Sequence, residues 1–170
     1  MWMYLFIFVC KIIEVSFTTV RTVLITRGEK LYAATIGFFE VIIWLLVVGN
    51  VLNGIQEDPI KIIVYALGYA CGNYVGSIIE DKLAIGMITM NVIVSEEDGE
   101  KLINTLRDAE VGVTSIEGEG RSSKKLVLLI HLKRKRKLEI MKLIEETEIK
   151  SVISVTDIKT VYGGYGMVRK

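Results

Sequence analysis

The sequence predicts an α+β protein in which three transmembrane helices precede a water-soluble domain with the element order βαββαβ. Hydrophobic residues make up 51% of the 170 residues, and a mean hydropathy of +0.45 is high for a soluble domain. Residues 1–79 hold only five of the 21 Lys and Arg residues, and residues 80–170 hold the other 16. We therefore expect a transmembrane domain in residues 1–80 and a soluble domain in residues 85–170.

Three apolar segments are long enough to cross a bilayer, at about residues 2–25, 31–51 and 59–79. Each approaches the ~20 residues that about 30 Å of hydrocarbon requires. Short polar turns separate them, and Asp58–Pro59 favours a helix that starts at Pro59. A cleaved signal peptide fits the first segment poorly, because no basic residue precedes the apolar run and no small-x-small pattern follows it.

The basic residues of the turns predict the orientation of the helices. Arg27 and Lys30 lie in the first turn with Arg21 just before it, whereas the second turn has only Lys61. Because Lys and Arg are enriched in cytoplasmic loops, we expect the N-terminus outside the cell and the C-terminal domain in the cytoplasm.

One face of the first helix is polar or charged, at Lys11, Glu14, Thr18, Arg21 and Thr22. At 100° per residue these positions share an arc of roughly 100°. The second helix carries Glu40 near its middle, at a depth similar to that of Glu14. Charges inside a membrane nearly always face other helices or a wet cavity. Three interpretations are open: a mutually neutralised polar network of Lys11, Glu14, Arg21 and Glu40, a proton- or ion-handling site, or snorkelling of the two cations toward the interfaces.

The third helix carries a repeat of small residues. In GYACGNYVG, Gly68, Gly72 and Gly76 recur every four residues and line one face, a pattern that allows close approach of helix backbones. The partner of this face is either another helix of the same chain or a second copy of the chain. Asn73 adjoins the face, within reach of a hydrogen bond across it.

The C-terminal half alternates strand-like and helix-like patterns. The predicted elements are a strand at Met87–Val94, a helix at Gly99–Ala109, strands at Val111–Glu117 and Leu126–Leu132, a helix at Arg136–Thr147 and a strand at Val152–Ile158. The inward-facing residues are predicted to be Leu102, Ile103 and Leu106 in the first helix and Leu138, Met141 and Ile144 in the second. This order predicts a ferredoxin-like sheet with both helices on one face.

Several stretches together resemble a known family. They are GYACGNYVGSIIEDKLAIG at residues 68–86, GVT at 112–114, GEG at 118–120, Asp157 and a closing YGGYG at 162–166. With the three preceding apolar helices they resemble the YebE-like family of bacterial membrane proteins, and the C-terminal domain is similar to that of the YitT family. The resemblance implies an inner-membrane protein with a cytosolic ferredoxin-like domain. It also implies a ligand or interface loop formed by Gly112, Thr114, Gly118, Gly120 and Arg121, although relatives often place an aromatic residue near Arg121.

The residue types of enzyme active sites are poorly represented. His131 is the only histidine and falls in an apolar strand, where we expect a satisfied core imidazole. The sequence contains no Ser-His-Asp set, no metal-ligand cluster and no phosphate-binding glycine loop before a helix. Cys10 and Cys71 have no CxxC partner, so we interpret them as small buried residues. We expect no enzymatic activity, no cofactor and no metal.

A basic run, KRKRK, occupies residues 133–137, where the third strand gives way to a helix. It has three interpretations: a solvated start of a helix, a contact with anionic lipid headgroups, or a nucleic-acid contact. Because no aromatic residues are interleaved with the basic ones, we expect no nucleic-acid partner.

Three classes of function fit these features. The first is a sensor or regulatory protein whose cytosolic domain binds a small molecule. The second is a small transporter or ion pathway that uses Glu14, Arg21 and Glu40, which requires a homo-oligomer because three helices enclose little volume. The third is a membrane scaffold without a ligand.

Overall fold

The computed structural model describes residues 1–52, 56, 58–159 and 161–164. The chain divides into two compact units, residues Met1–Ala84 and Ile85–Lys170. The first unit consists of helices α1 (Trp2–Thr26), α2 (Lys30–Leu52) and α3 (Ile60–Leu83). All three are long and apolar enough to cross a membrane. In the second turn, Asn53, Gly54 and Glu57 lie outside the described residues.

The turn between α1 and α2 is closed by backbone hydrogen bonds. Gly28 has φ +80°, the left-handed conformation that a residue without a Cβ adopts at low cost. The N–H of Glu29 donates to the carbonyl of Leu24 at 2.9 Å, and the N–H of Gly28 donates to that of Ile25 at 3.0 Å. This pair of bonds ends α1 and reverses the chain into α2.

The outer surface of the helical unit is apolar. Exposed large hydrophobic side chains occur along all three helices, for example Leu5, Phe6, Phe38, Phe39, Leu45, Leu46, Ile63 and Leu67. A continuous apolar exterior on this scale is typical of helices that face lipid. At one end of the unit the Tyr4 hydroxyl donates to Asp58 Oδ2 at 2.7 Å, which joins the start of α1 to the residues just before α3.

The second unit contains a four-stranded antiparallel sheet and two α-helices. Its elements are β1 (Met87–Ser95), α4 (Glu96–Asp108), β2 (Val113–Glu119), β3 (Lys124–Lys133), α5 (Lys137–Glu146) and β4 (Val152–Ile158). The strand order is β2-β3-β1-β4, and every neighbouring pair is antiparallel. The α+β class predicted from the sequence is confirmed.

The first helix of this unit starts earlier than predicted, at Glu96 and not at Gly99. The Ser95 hydroxyl accepts from the N–H of Asp98 at 3.2 Å and donates to its carboxylate at 2.5 Å. A serine followed three residues later by an acidic residue resembles the capping box, which marks the start of a helix. The predicted start at Gly99 used only the apolar periodicity, which does not include this signal.

The core of the second unit lies between the two helices and one face of the sheet. It contains Ile88, Met90, Val92 and Val94 of β1, Leu128, Ile130 and Leu132 of β3, Leu102, Ile103 and Leu106 of α4, and Ile140 and Ile144 of α5. The prediction for α4 agrees with this core, whereas the one for α5 is wrong at Leu138, which is 70% exposed. Because Leu138 is two residues from Ile140, it lies about 200° around the helix from that buried residue.

Candidate functional site

Lys11 and Glu14 form a buried ion pair on α1. The Lys11 ammonium donates to Glu14 Oε2 at 2.8 Å and to Oε1 at 3.0 Å, and their side chains are 4% and 7% exposed. The same ammonium lies 4.3 Å from the ring centroid of Tyr65 and 5.6 Å from that of Tyr69, both on α3. The charge of Lys11 is therefore balanced by a carboxylate and two aromatic faces.

Arg21 and Glu40 form a second ion pair, between α1 and α2. Arg21 Nε donates to Glu40 Oε2 at 2.7 Å, and Nη2 donates to Oε1 at 3.1 Å. This two-pronged geometry suits the planar guanidinium. The Thr18 hydroxyl lies 3.0 Å from Glu40 Oε1 and 3.2 Å from the backbone carbonyl oxygen of Glu14, which places it between the two pairs.

Glycines leave room for both cations. A Cβ on Gly68 of α3 would lie 3.0 Å from the Lys11 Cβ, and a Cβ on Gly37 of α2 would lie 3.2 Å from the Arg21 Cδ. Any larger residue at either position would push against the aliphatic part of the cation's side chain. The two glycines thus hold the cations between helices, close to their carboxylates.

The glycine repeat packs against α1 of the same chain. A Cβ on Gly72 would lie 2.7 Å from the Val15 Cβ, and one on Gly76 would lie 2.7 Å from the Thr19 hydroxyl oxygen. Because the residue numbers rise together on both helices, α1 and α3 run parallel. The repeat is thus used within the chain and does not support a homo-oligomer.

Asn73 and the two cysteines differ in part from what the sequence indicates. Asn73 is exposed, and its amide donates to the carbonyl of Tyr69 on its own helix at 3.1 Å rather than across the packed face. Cys10 and Cys71 are free thiols, which agrees with the sequence interpretation, and each is half-buried where the sequence predicts a buried residue. The four charged residues lie on one side of α1 and the facing part of α2, as the helical arc predicts, but they form two separate pairs.

The sheet of the second unit has one face that its described helices do not cover. Because side chains alternate along a strand, this face carries the β1 residues between the buried ones: Met87, Thr89, Asn91 and Ile93. Their cross-strand neighbours include Leu129 and His131 on β3 and Ser154 and Thr156 on β4. An apolar row crosses all four strands next to Asn91 and Ser154, and consists of Ile116, Val127, Ile93 and Val152.

Asn91 and His131 are the chemically distinctive residues of this uncovered sheet face. Asn91 Oδ1 is buried and has no hydrogen-bond donor among the described residues, an arrangement that is costly in a folded protein. His131 is exposed, and its Nδ1 lies 2.8 Å from the Thr89 hydroxyl oxygen. The prediction of a core imidazole is therefore wrong, because His131 alternates with Ile130 and Leu132, which occupy the core face.

The predicted ligand or interface loop does not form one compact site. Thr114 and Gly118 are an even number of residues apart on β2, so both lie on the uncovered sheet face. The distance between them along the strand is four residues, about 13 Å. Gly120 lies in the β2–β3 turn, where its N–H donates to the carbonyl of Ser123 at 3.0 Å. Arg121 is exposed in that turn, and Gly112 precedes β2 at its other end. In YGGYG, residues 165 and 166 lie outside the described part of the chain.

Two shallow grooves occur near the β2–β3 turn. One of about 180 Å³ is lined by Ile93, Val94, Lys125, Lys150, Ser151 and Val152. The other, of about 160 Å³, is lined by Glu96, Glu117, Gly118, Glu119, Lys124 and Lys125. Both are smaller than the usual small-molecule site, but the first continues the apolar row of the uncovered sheet face and adds two lysines.

The basic run contains a residue with a structural role, Arg136. Its guanidinium donates to Glu139 at 2.7 Å and to the backbone carbonyl of Ala109, at the end of α4, at 3.0 Å. The hydrogen bond with Glu139 raises the pKa of Arg136, and the same bond lowers the pKa of Glu139. Arg136 therefore connects the start of α5 to the end of α4.

No group of three or more His, Cys, Asp or Glu side chains that could hold a metal ion occurs among the residues that the structure describes.

Comparison with known proteins shows which family contains this chain. A UPF0316 protein from Clostridium botulinum (strain Hall) is 60% identical over 164 residues, which cover 96% of each chain. A UPF0316 protein from Alkaliphilus oremlandii is 41% identical over 95% of this chain and 93% of its own. The chain belongs to the UPF0316 family.

Two family profiles match this UPF0316 member. Residues 19–77 match a domain of unknown function, DUF5698. Residues 111–163 match DUF2179, described as an uncharacterized protein conserved in bacteria. DUF2179 is the YitT-like C-terminal domain, which confirms that part of the resemblance, whereas the name YebE-like is not confirmed. The crystal structure of a functionally unknown protein from Pediococcus pentosaceus is similar over 48% of this chain and 100% of its own, at 15% identity and a TM-score of 0.42.

Proposed function

We propose that this UPF0316 member is an integral protein of the bacterial cell membrane whose helical unit is an anchor and whose cytosolic unit binds a regulatory small molecule. The apolar exterior of α1, α2 and α3 supports the membrane location. Arg27 and Lys30 in the first turn support an orientation with the N-terminus outside and the sheet unit in the cytoplasm.

The pairing of the buried charges favours an anchor over an ion pathway. Glu14 and Glu40 each accept two hydrogen bonds from a cation. A carboxylate that carries protons or ions must exchange its partner, whereas these two are held by side chains wedged over Gly68 and Gly37. The transporter alternative therefore has less support than two fixed ion pairs that stabilise the packing of the helices.

One observation carries the proposed ligand site: the uncovered sheet face contains Asn91 Oδ1, a buried acceptor without a donor among the described residues. Asn91 as a whole is only half-buried, so rotation of its amide toward a bound molecule with an N–H or O–H group would supply that donor. The strand order β2-β3-β1-β4 supports a ferredoxin-like arrangement, in which both helices cover one face and leave the other available.

The chemistry of the face defines the class of ligand. The apolar row through Ile93 and Val127 offers a flat surface for a planar ring, beside Asn91, which is two residues from Ile93 along β1. The Thr89 hydroxyl and the His131 imidazole lie about 13 Å from this row, at the far end of the same face. Lys125 and Lys150 flank the groove at the end of that row and favour an acidic group. We therefore expect a planar, anionic molecule with a hydrogen-bond donor, such as a nucleotide.

A thermal-shift screen of the full chain in detergent, with a panel of nucleotides and acidic metabolites, tests the proposal. A ligand present at 100 times its Kd stabilises the folded state by about 2.7 kcal/mol. The variant Asn91→Leu is expected to lose the shift, and Asn104→Leu, which makes the same change at an exposed position of α4, is expected to keep it.

Absence of any shift across the panel would contradict ligand binding and favour the scaffold alternative. If Asn91→Leu keeps the thermal shift, the ligand binds elsewhere on the protein, and the proposal that it binds the uncovered sheet face is contradicted.

A further inference from the structure

The basic run and the exposed Leu138 form a second interaction surface, at the end of the cytosolic unit where the chain enters from α3. We propose that this surface, defined as residues 133–138, binds the anionic lipid headgroups of the membrane in which α3 is anchored. The inference rests on the proposed membrane location and is independent of the proposed ligand.

The position of the surface follows from one hydrogen bond and the length of the chain. The Arg134 N–H donates to the carbonyl of Gly86 at 3.0 Å, and Lys133 pairs with Met87 at the start of β1. Gly86 is only three residues beyond Leu83, the last residue of α3, and three residues span at most about 11 Å.

The length of α3 places its end at headgroup depth. Its 24 residues measure about 36 Å, against about 30 Å of hydrocarbon. The covalent chain therefore keeps residues 133–138 within roughly one to two Debye lengths of the headgroups, since that length is about 8 Å at physiological salt.

The side chains of the surface suit an anionic membrane. Lys133 and Lys135 are exposed, and the large apolar side chain of Leu138, 70% exposed, lies three residues beyond Lys135. Basic residues beside an exposed apolar side chain are the combination that binds membrane interfaces. Arg136 has a different role, because it is bonded to Glu139 and to the carbonyl of Ala109.

Chemical acetylation of lysines in the full chain, reconstituted in nanodiscs, tests the inference. Each basic side chain near an anionic surface gains about 1 kcal/mol, roughly fivefold in equilibrium. We expect Lys137 to be acetylated about fivefold more slowly in discs of phosphatidylcholine and phosphatidylglycerol than in phosphatidylcholine alone, with the difference lost at high salt. The acetylation rate of Lys125, at the other end of β3, is the internal reference and is expected to be equal in both kinds of disc when the sheet is folded.

Two charge-matched double variants show whether the effect belongs to this surface. Lys133→Gln with Lys135→Gln is expected to weaken the protection of Lys137, because the surface loses two of its attractions to anionic lipid. Arg121→Gln with Lys124→Gln removes two exposed charges at the opposite end of β3, about 30 Å away, and is expected to preserve it.

Equal acetylation of Lys137 in the two kinds of disc, with the protein inserted, would overturn this inference and leave the membrane location intact. Failure of the chain to insert into discs of either composition would overturn both. Slower acetylation on addition of an RNA or DNA duplex, without any effect of anionic lipid, would assign the surface to nucleic acid and also overturn the inference.

Discussion

At the scale of single residues, the two ion pairs differ in how they are buried. Lys11 and Glu14 are one turn apart on the same helix and almost fully enclosed, whereas Arg21 and Glu40 join two helices and are more exposed, at 33% and 13%. The first pair therefore costs more desolvation, which the rings of Tyr65 and Tyr69 partly offset. The second has the stronger hydrogen-bond geometry and links α1 to α2.

The division into two pairs predicts a specific pattern of rescue. Glu14→Gln leaves the Lys11 ammonium buried without a counter-charge, which we expect to lower the free energy of unfolding by about 3 kcal/mol. Adding Lys11→Met is expected to recover about half of that loss, because it removes the unpaired charge and retains an apolar side chain of similar length. Denaturant titration of the full chain in mixed micelles, followed by circular dichroism, measures the change.

The second pair provides the matched control. Adding Arg21→Met to Glu14→Gln is expected to give an additive loss, whereas adding it to Glu40→Gln is expected to give recovery. Wild-type stability of Glu14→Gln would contradict a structural ion pair and favour the proton-handling interpretation, since a neutral amide resembles a protonated carboxyl.

The Arg136–Glu139 pair predicts a dependence of stability on pH. The hydrogen bond from Arg136 lowers the pKa of Glu139 below its ordinary value of 4.5. A lowered folded-state pKa stabilises the protein above the unfolded pKa, and this contribution disappears as the pH falls through the folded value. Glu139→Gln is therefore expected to lower the free energy of unfolding at pH 7, by less than about 1 kcal/mol because the pair is exposed, and to have no effect near pH 2.

Unfolding titrations at pH 7, 4 and 2 measure this difference. Glu146→Gln, which changes another exposed glutamate of α5, is the control. An equal effect of Glu139→Gln at all three pH values would contradict a charge-based contribution.

At the scale of elements, the close packing of α1 against α3 depends on the absence of side chains at three positions. A Cβ at Gly72 would lie 2.7 Å from the Cβ of Val15 and 3.2 Å from the Cα of Ile12. Neither atom can move without shifting α1 as a whole. An added Cβ is therefore tolerated less well at Gly72 than at a glycine that faces the end of a flexible side chain.

Gly72→Ala is therefore expected to destabilise the helical unit by about 1–3 kcal/mol through overpacking. At Gly49 of α2, an added Cβ would meet no atom within 4 Å, so Gly49→Ala is expected to be neutral or slightly stabilising. Folded yield and thermal stability in detergent measure both variants. Equal losses at the two positions would remove the packing argument.

At the scale of the whole molecule, the proposed orientation makes the sheet unit cytoplasmic. A green fluorescent protein fused after Lys170 is therefore expected to fluoresce, and an alkaline phosphatase at the same position is expected to be inactive. Activity of the phosphatase fusion would contradict the proposed orientation and, with it, access of a cytosolic ligand to the uncovered sheet face.

Periodicity in the sequence was sufficient to predict the helices and strands and most of the buried core residues. Apolar runs of about 20 residues identify α1, α2 and α3, and the apolar positions of α4 predict its buried side, because both depend only on local composition and the 3.6-residue repeat. The same reasoning placed Lys11, Glu14 and Arg21 on one side of α1. Local geometry is common to every helix with that sequence pattern.

Only the tertiary structure decided which groups meet. Pairing of Lys11 with Glu14 and of Arg21 with Glu40 depends on side-chain reach and on which helix presents a glycine opposite each cation. Periodicity also failed to predict that His131 lies on the uncovered sheet face and that Leu138 is exposed. An apolar run does not indicate which of its sides faces inward until another element packs on it. Contacts between elements that are distant in sequence leave no pattern in the local sequence. The sequence therefore predicted the packing face of the glycine repeat, and only the structure identified α1 as its partner.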